Sequence, residues 1–197
     1  MAPSLQPDAQ AVLDFWFGPA DDARHCEPRK EWFVKDAAFD AQIRERFGAL
    51  IERALAGELV HWGATPHGAL AQIVLLDQFT RNAFRDTARA FAGDARALVA
   101  ARSLVASGDD LTLSGVQRVF IYLPFEHAED LDAQRESLRL FERLQREEPI
   151  VGDVVLWAQR HLDIIARFGR FPHRNATLGR TSTLEEIEFL KQPGSGF

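Results

Sequence analysis

The sequence predicts an all-α protein, and three observations carry that reading. Apolar residues recur at three- and four-residue spacing through several long segments, and glycine, proline and capping residues punctuate the chain where helices would begin and end. No stretch alternates with period two or carries a hairpin signal. Segments opening near Asp36, Ala88 and Asp130 read as antiparallel helix pairs, while their unequal spacing argues against an array of identical units.

Asp8 reads as the N-cap of a first helix with Val12, Phe15 and Trp16 on one face, stopped at Gly18-Pro19. Asp36 caps a long helix whose apolar face is Phe39, Ile43, Phe47, Leu50, Ile51, Ala54 and Leu55, closing at Gly57. Thr65-Pro66 supplies a cap followed by proline at the first helical position, so a helix runs through Leu70, Ile73, Val74 and Leu76 toward Phe79. A further helix is expected from about Ala88 to Ser107, stopped at Gly108, and another from Ser114 to Leu123, stopped at Pro124. Asp130 to Arg146 follows, with Leu131, Leu138, Phe141 and Leu144 inward and alternating Arg and Glu outward. The last long helix spans about Gly152 to Phe168, with Val154, Val155, Ala158, Leu162, Ile165 and Phe168 buried, and the pair Thr183 and Glu186 is a capping box for a final short helix.

At 197 residues with 46% hydrophobic content, the chain can bury roughly 70% of its unfolded surface in one core. A single helical domain over residues 1–197 is therefore expected, with no linker or low-complexity segment to divide it. The formal charge of -6 works against attraction to nucleic acid or an anionic membrane surface. The lone cysteine, Cys26, fits a reducing compartment and argues against a thiolate metal site. The opening MAPSLQPDAQ lacks a signal-peptide pattern, and no apolar run is long enough for a bilayer, so a cytoplasmic protein is expected.

Three polar strings break the hydrophobic pattern. In LLDQFTRNAFR, Asp77 and Gln78 follow directly on Ile73 to Leu76, so at least one faces packed neighbours, and a buried carboxylate needs a donor such as Arg81, one helical turn on. Arg85 stands one turn further, and Arg81, Asn82 and Arg85 could equally project donor forks toward a carboxylate or phosphate. In YLPFEHAED, Pro124 is expected to expose Glu126 and His127 on a short loop, with Glu129 and Asp130 as caps of the next helix. His127, flanked by carboxylates, is the candidate acid–base group. From His161 to Thr183, four arginines and two histidines share the segment with one acid, Asp163. There Arg167, Arg170 and Arg174, with His173, interleave Phe168 and Phe171, which calls for carboxylates or a bound anion opposite. His161, four residues after Trp157, suits the core. Stacking of single-stranded bases on the aromatics is disfavoured by the acidic composition.

No phosphate loop, nucleophile elbow, zinc-protease or CxxC motif occurs, and Glu58 to His61 is an isolated Glu-x-x-His match, so no cofactor and no metal are expected. Two functional classes follow. The first is a protein, an enzyme or a binding protein, that takes a small anionic molecule through Arg81, Arg85, Arg167, Arg170 and Arg174, with His127 as acid–base group and Glu126 and Asp77 orienting it and the arginines. The second is a helical scaffold whose arginines grip a peptide carboxylate. Beside both stands a purely structural ion-pair network.

The strings VLDFWFGP at Val12 to Pro19, LLDQFTRNAFR at Leu75 to Arg85, YLPFEHAED at Tyr122 to Asp130 and RFGRFPHRNATLGRTSTLEE at Arg167 to Glu186, taken in this order, resemble the bacterial domain-of-unknown-function family 924. The resemblance covers nearly the whole chain and implies a helical fold similar to the tetratricopeptide-repeat superfamily. It implies no reaction, cofactor or partner. One departure is local: Ala128 stands where the resemblance leads one to expect Ser after the histidine.

Overall fold

The computed structural model describes residues 4–196, so the first three residues of the opening segment read above lie outside it. Among the described residues the fold is all-α: α1 (Pro7–Phe17), α2 (Ala37–Ala56), α3 (Pro66–Ile73), a π-helical segment (Val74–Phe79), α4 (Thr80–Ala83), α5 (Asp94–Ser107), α6 (Gly115–Glu126), α7 (Leu131–Glu147), α8 (Val154–Phe168) and α9 (Leu184–Leu190). No described helix is long and apolar enough to cross a membrane.

Helix α6 is the hub. Every residue from Gly115 to Glu126 is buried, the polar Gln117, Arg118 and Glu126 included. Helices α5 and α7 pack on it, α8 packs on α7, and α1 and α5 pack on α3. Short connections turn α6, α7 and α8 back on one another in antiparallel succession. Around α6 lies an aromatic cluster in which Trp16 meets Phe79 and Phe120 edge-on at 5.5 Å each and Trp32 meets Phe120 at 4.8 Å.

Most helix boundaries fall where the caps place them. Asp36 accepts from the backbone N–H of Ala38 and Phe39, Thr65 from Gly68, and both Ser114–Gln117 and Thr183–Glu186 form complete capping boxes. Three boundaries differ. In helix α1 the N-cap position is Gln6, which makes no side-chain cap bond, with Pro7 at the first position and Asp8 in the first turn, because proline's fixed φ starts the helix two residues sooner.

The stretch expected as one helix from Ala88 to Ser107 is a 3-10 turn (Ala88–Phe91) followed by α5, since Gly93 presses on the backbone of Leu76 and breaks the continuity. Helix α6 also passes through Pro124 instead of stopping before it. Proline removes one donor, but His127 N–H closes the last turn on Leu123 O at 2.8 Å, and Tyr122 and Phe125 are buried against the core. Glu126 and His127 are therefore not on an exposed loop: Glu126 is the last, buried residue of α6 and His127 its C-cap.

Candidate active site: a buried Asp–His–Arg cluster

Asp77 lies in the π-helical segment, whose wider turn is a rare geometry frequent at functional sites. Its side chain is completely buried. Gln78 Nε2 donates to Oδ2 at 2.6 Å, Arg81 Nη1 lies 3.1 Å from Oδ1, and His127 Nδ1 lies 2.8 and 3.0 Å from the two oxygens. Burial opposes ionisation of Asp77, but the Arg81 guanidinium and His127 outweigh it and hold the carboxyl well below its usual range.

An ionised carboxylate only accepts, so His127 Nδ1 carries hydrogen and Nε2 bears the lone pair. Burial, helped by Arg81, pushes His127 below its ordinary value despite the pull of Asp77, so the ring is neutral. Nε2 has no hydrogen-bond partner among the described residues, and the side chain keeps 16% of its surface. The arrangement is a base oriented through its far nitrogen by a carboxylate.

Arg81 reaches in two directions. Besides Asp77 it forks onto Asp94, the first residue of α5, with Nη1 2.9 Å from Oδ1 and Nη2 3.1 Å from Oδ2. Arg174 joins from the carboxyl-terminal string: its Nη1 donates to His127 O at 3.1 Å and lies 3.4 Å from Asp94 Oδ2. Its guanidinium is wedged between Phe91 at 4.7 Å and Phe171 at 4.4 Å. Burial, then the neighbouring charge of Arg81, bring Arg174 down to about 10, so it stays a cation, and its buried Nε has no acceptor.

Around this core stand three further titratable groups. His161 Nδ1 meets Trp157 O at 2.9 Å and Glu126 Oε1 at 3.2 Å, and burial brings its ring down to about 3. His173, its ring tilted against Phe171 at 5.6 Å, is lowered to about 4 by burial and by Arg174. Glu126 goes the other way: burial and the charge on Asp77 push its carboxyl up to about 8.

The remaining candidates are elsewhere. Arg85 forks onto Asp40 of α2 at 2.8 and 2.9 Å, and Asn82 donates to the same carboxylate at 2.8 Å, so these residues tie the end of α4 to α2. The π-helical segment offsets the register between Asp77 and Arg85, and α4 ends at Ala83, so Arg85 does not share the face of Asp77 and Arg81. Arg167 pairs with Glu185 at 2.8 Å, and Arg170 forks onto the buried Glu186 at 2.6 and 2.8 Å, pinning α9 beneath the basic loop. Of the arginines expected in one pocket, the structure brings together Arg81 and Arg174.

Two residues absent from the sequence reading hold the cluster. Asp94 is the shared counter-ion of Arg81 and Arg174, and its signal is the Gly-Asp pair that opens α5, hidden inside a segment read as continuous helix. Gln134 of α7 is fully buried and donates to Glu126 O at 2.5 Å and to Ala128 O at 2.8 Å, satisfying the open end of α6. Glu129 is not a cap: Asp130 caps α7, while Glu129 forks onto Arg180 and accepts from Phe171 N–H at 2.7 Å, fastening the basic loop to the end of α6.

A hollow of about 340 Å³ is lined by His25, His67 and Gln117 among others and includes none of the cluster. The cluster instead reaches the surface along one edge, where Arg81 is 20% exposed beside Asp94 and His127. Among the described residues no group of three or more His, Cys, Asp or Glu could hold a metal ion.

The chain matches the family model "Bacterial protein of unknown function (DUF924)" over residues 12–194. A solved protein of unknown function from Agrobacterium tumefaciens is 40% identical, with a TM-score of 0.79 over 93% of this chain and 96% of that one. No curated protein matches. With nearly its whole length matched, the chain belongs to the bacterial family of unknown function DUF924.

Proposed function

We propose that the protein binds a small anionic molecule, through a carboxylate or phosphate group, at the edge formed by Arg81, His127 and Arg174. His127 Nε2 serves there as the acid–base group, which makes an enzymatic proton transfer the natural use of the site. The observation that carries the reading is Arg174. A guanidinium only 6% exposed, held between two aromatic rings, with Nε lacking an acceptor, is an incompletely satisfied buried cation. Leaving such a donor unpaired costs about 1–3 kcal/mol, which an added oxyanion recovers. Asp94 supports the reading from the other side, since it is a carboxylate that already accepts from both arginines and sits at the exposed edge.

The test is a thermal-shift titration with acetate, inorganic phosphate and a short peptide offered with free or amidated carboxyl terminus. Acetate or phosphate near saturation should raise the melting temperature by about 5–10 °C, for roughly 2.7 kcal/mol at a hundred times the dissociation constant. Arg174→Gln should abolish the response and Arg174→Lys should weaken it, because lysine keeps the charge and loses the planar fork. A response to the free peptide but not to the amidated one would identify a peptide carboxylate as the source. No shift with any of these anions would end the proposal.

A further inference from the structure

Among the described residues, Asp77, Asp94, Glu129 and Glu186 around the cluster each have an arginine, and Glu126 does not. Asp77 has Arg81, Asp94 has Arg81 and Arg174, Glu129 has Arg180, and Glu186 has Arg170. Glu126 is 3% exposed, its Oε1 meets the neutral ring of His161, and its other oxygen has no hydrogen-bond partner among the described residues. It is also the last residue of α6, where the negative end of the helix dipole disfavours a second negative charge. Asp77, ionised for Arg81, adds to that field.

Resting on the anion-site reading above, the geometry points to Glu126 as a neutral carboxylic acid that donates a hydrogen bond to the bound anion, alongside the donors of Arg174. A protonated carboxyl is the one form of this side chain that satisfies both needs of its setting. It carries no charge at a buried helix end, and it offers an O–H that the ionised carboxylate lacks. Burial beside Asp77 keeps that proton on up to about pH 8. Above that, the ionised Glu126 would repel the same anion it otherwise holds.

His161 against its Oε1 and the charge on Asp77 are the titratable neighbours of the Glu126 carboxyl, and they and the rest of the cluster leave its titration isolated. Asp77 and Arg81 of the helix beside it stay charged at neutral pH; His127, His161 and His173 are all shifted below the ordinary histidine range; and Arg174 loses its proton only near 10. Asp94 completes the set as the partner of both arginines.

The test is the affinity for acetate, measured by calorimetry between about pH 6 and about pH 9, a range in which acetate itself stays ionised. For the wild-type protein the affinity should fall about tenfold per pH unit above the Glu126 titration, while Glu126→Gln, a permanently neutral donor, should bind with no such slope. A flat wild-type profile, or the same slope in Glu126→Gln, would overturn the inference and leave the anion site standing. Acetate binding to neither protein at any pH would overturn the anion site and this inference with it. Should Glu126→Gln fail to fold, carbon-13 labelling of the glutamate carboxyls in the wild-type protein decides the matter. One carboxyl that keeps its proton to about pH 8 and shifts on acetate addition supports the inference, and all carboxyls titrating in the ordinary acidic range refute it.

Discussion

Replacing Asp77 by Asn is expected to lower stability by about 3 kcal/mol, or roughly 6–12 °C in melting temperature. Asparagine has nearly the same shape and can still accept from His127 Nδ1, so the loss isolates the charge. Arg81 would keep Asp94 but lose the buried carboxylate 3.1 Å from its Nη1, leaving two cations, Arg81 and Arg174, to share one counter-ion. The effect also has a pH signature. The folded Asp77 carboxyl titrates below its ordinary value of 3.8, so its stabilisation is present above that value and is lost as pH falls toward the folded one. Melting curves of wild type and Asp77→Asn should therefore be well separated at neutral pH and converge in acid. A separation below about 1 °C at neutral pH, or one that persists unchanged in acid, would show that the ion pair is not what holds this segment.

Gly93→Ala should be nearly as damaging for a different reason. A Cβ built on Gly93 would sit 2.1 Å from Leu76 O and 2.8 Å from Leu76 C, in the backbone of the π-helical segment, where no side chain can rotate away. Relief requires the start of α5 to move back from α3 and the π turn, at a cost of about 2–3 kcal/mol or more for an overpacked site. Asp94 is the next residue, so the same movement pulls the shared counter-ion away from Arg81 and Arg174. Denaturant unfolding of Gly93→Ala should show the loss. A variant as stable as the wild type would mean that α5 can shift freely, and that the close approach seen at Gly93 does not position Asp94.

The helices were legible because their signals are local. Asp36, Thr65 and Ser114 begin helices where they stand, and Gly57, Gly108 and Gly169 end them with left-handed backbone conformations, φ 84°, 77° and 68°. What escaped the sequence depends on contacts between distant segments. The break before α5 is caused by Leu76, far back in the chain, and the passage of α6 through Pro124 is decided by burial of Tyr122 and Phe125. A π-helical turn has no sequence signature of its own, so the register that turns Arg85 toward Asp40 was not readable.

The polar strings were legible as unusual, and the structure shows why only part of each belongs to the cluster. Asp77, Arg81, His127 and Arg174 meet because the π segment, the end of α6 and the loop after α8 come together beside α5. Arg85, Arg167 and Arg170 each found a carboxylate nearer at hand, on Asp40, Glu185 and Glu186. A count of charges along the chain cannot distinguish these outcomes, since each depends on which acid the fold delivers.

His127 is the centre of the proposed site: its Nδ1 is committed to Asp77, and its Nε2 is the atom proposed to respond to an anion bound at the exposed edge. Nitrogen-15 spectra of histidine-labelled protein, with His127→Gln for assignment and with and without acetate, test this directly. His127 should be the neutral Nδ1–H tautomer at neutral pH, and acetate should move its Nε2 resonance while the Nδ1 resonance stays in place. An Nε2–H tautomer, or an Nε2 resonance indifferent to acetate and phosphate at saturating concentration, would contradict it.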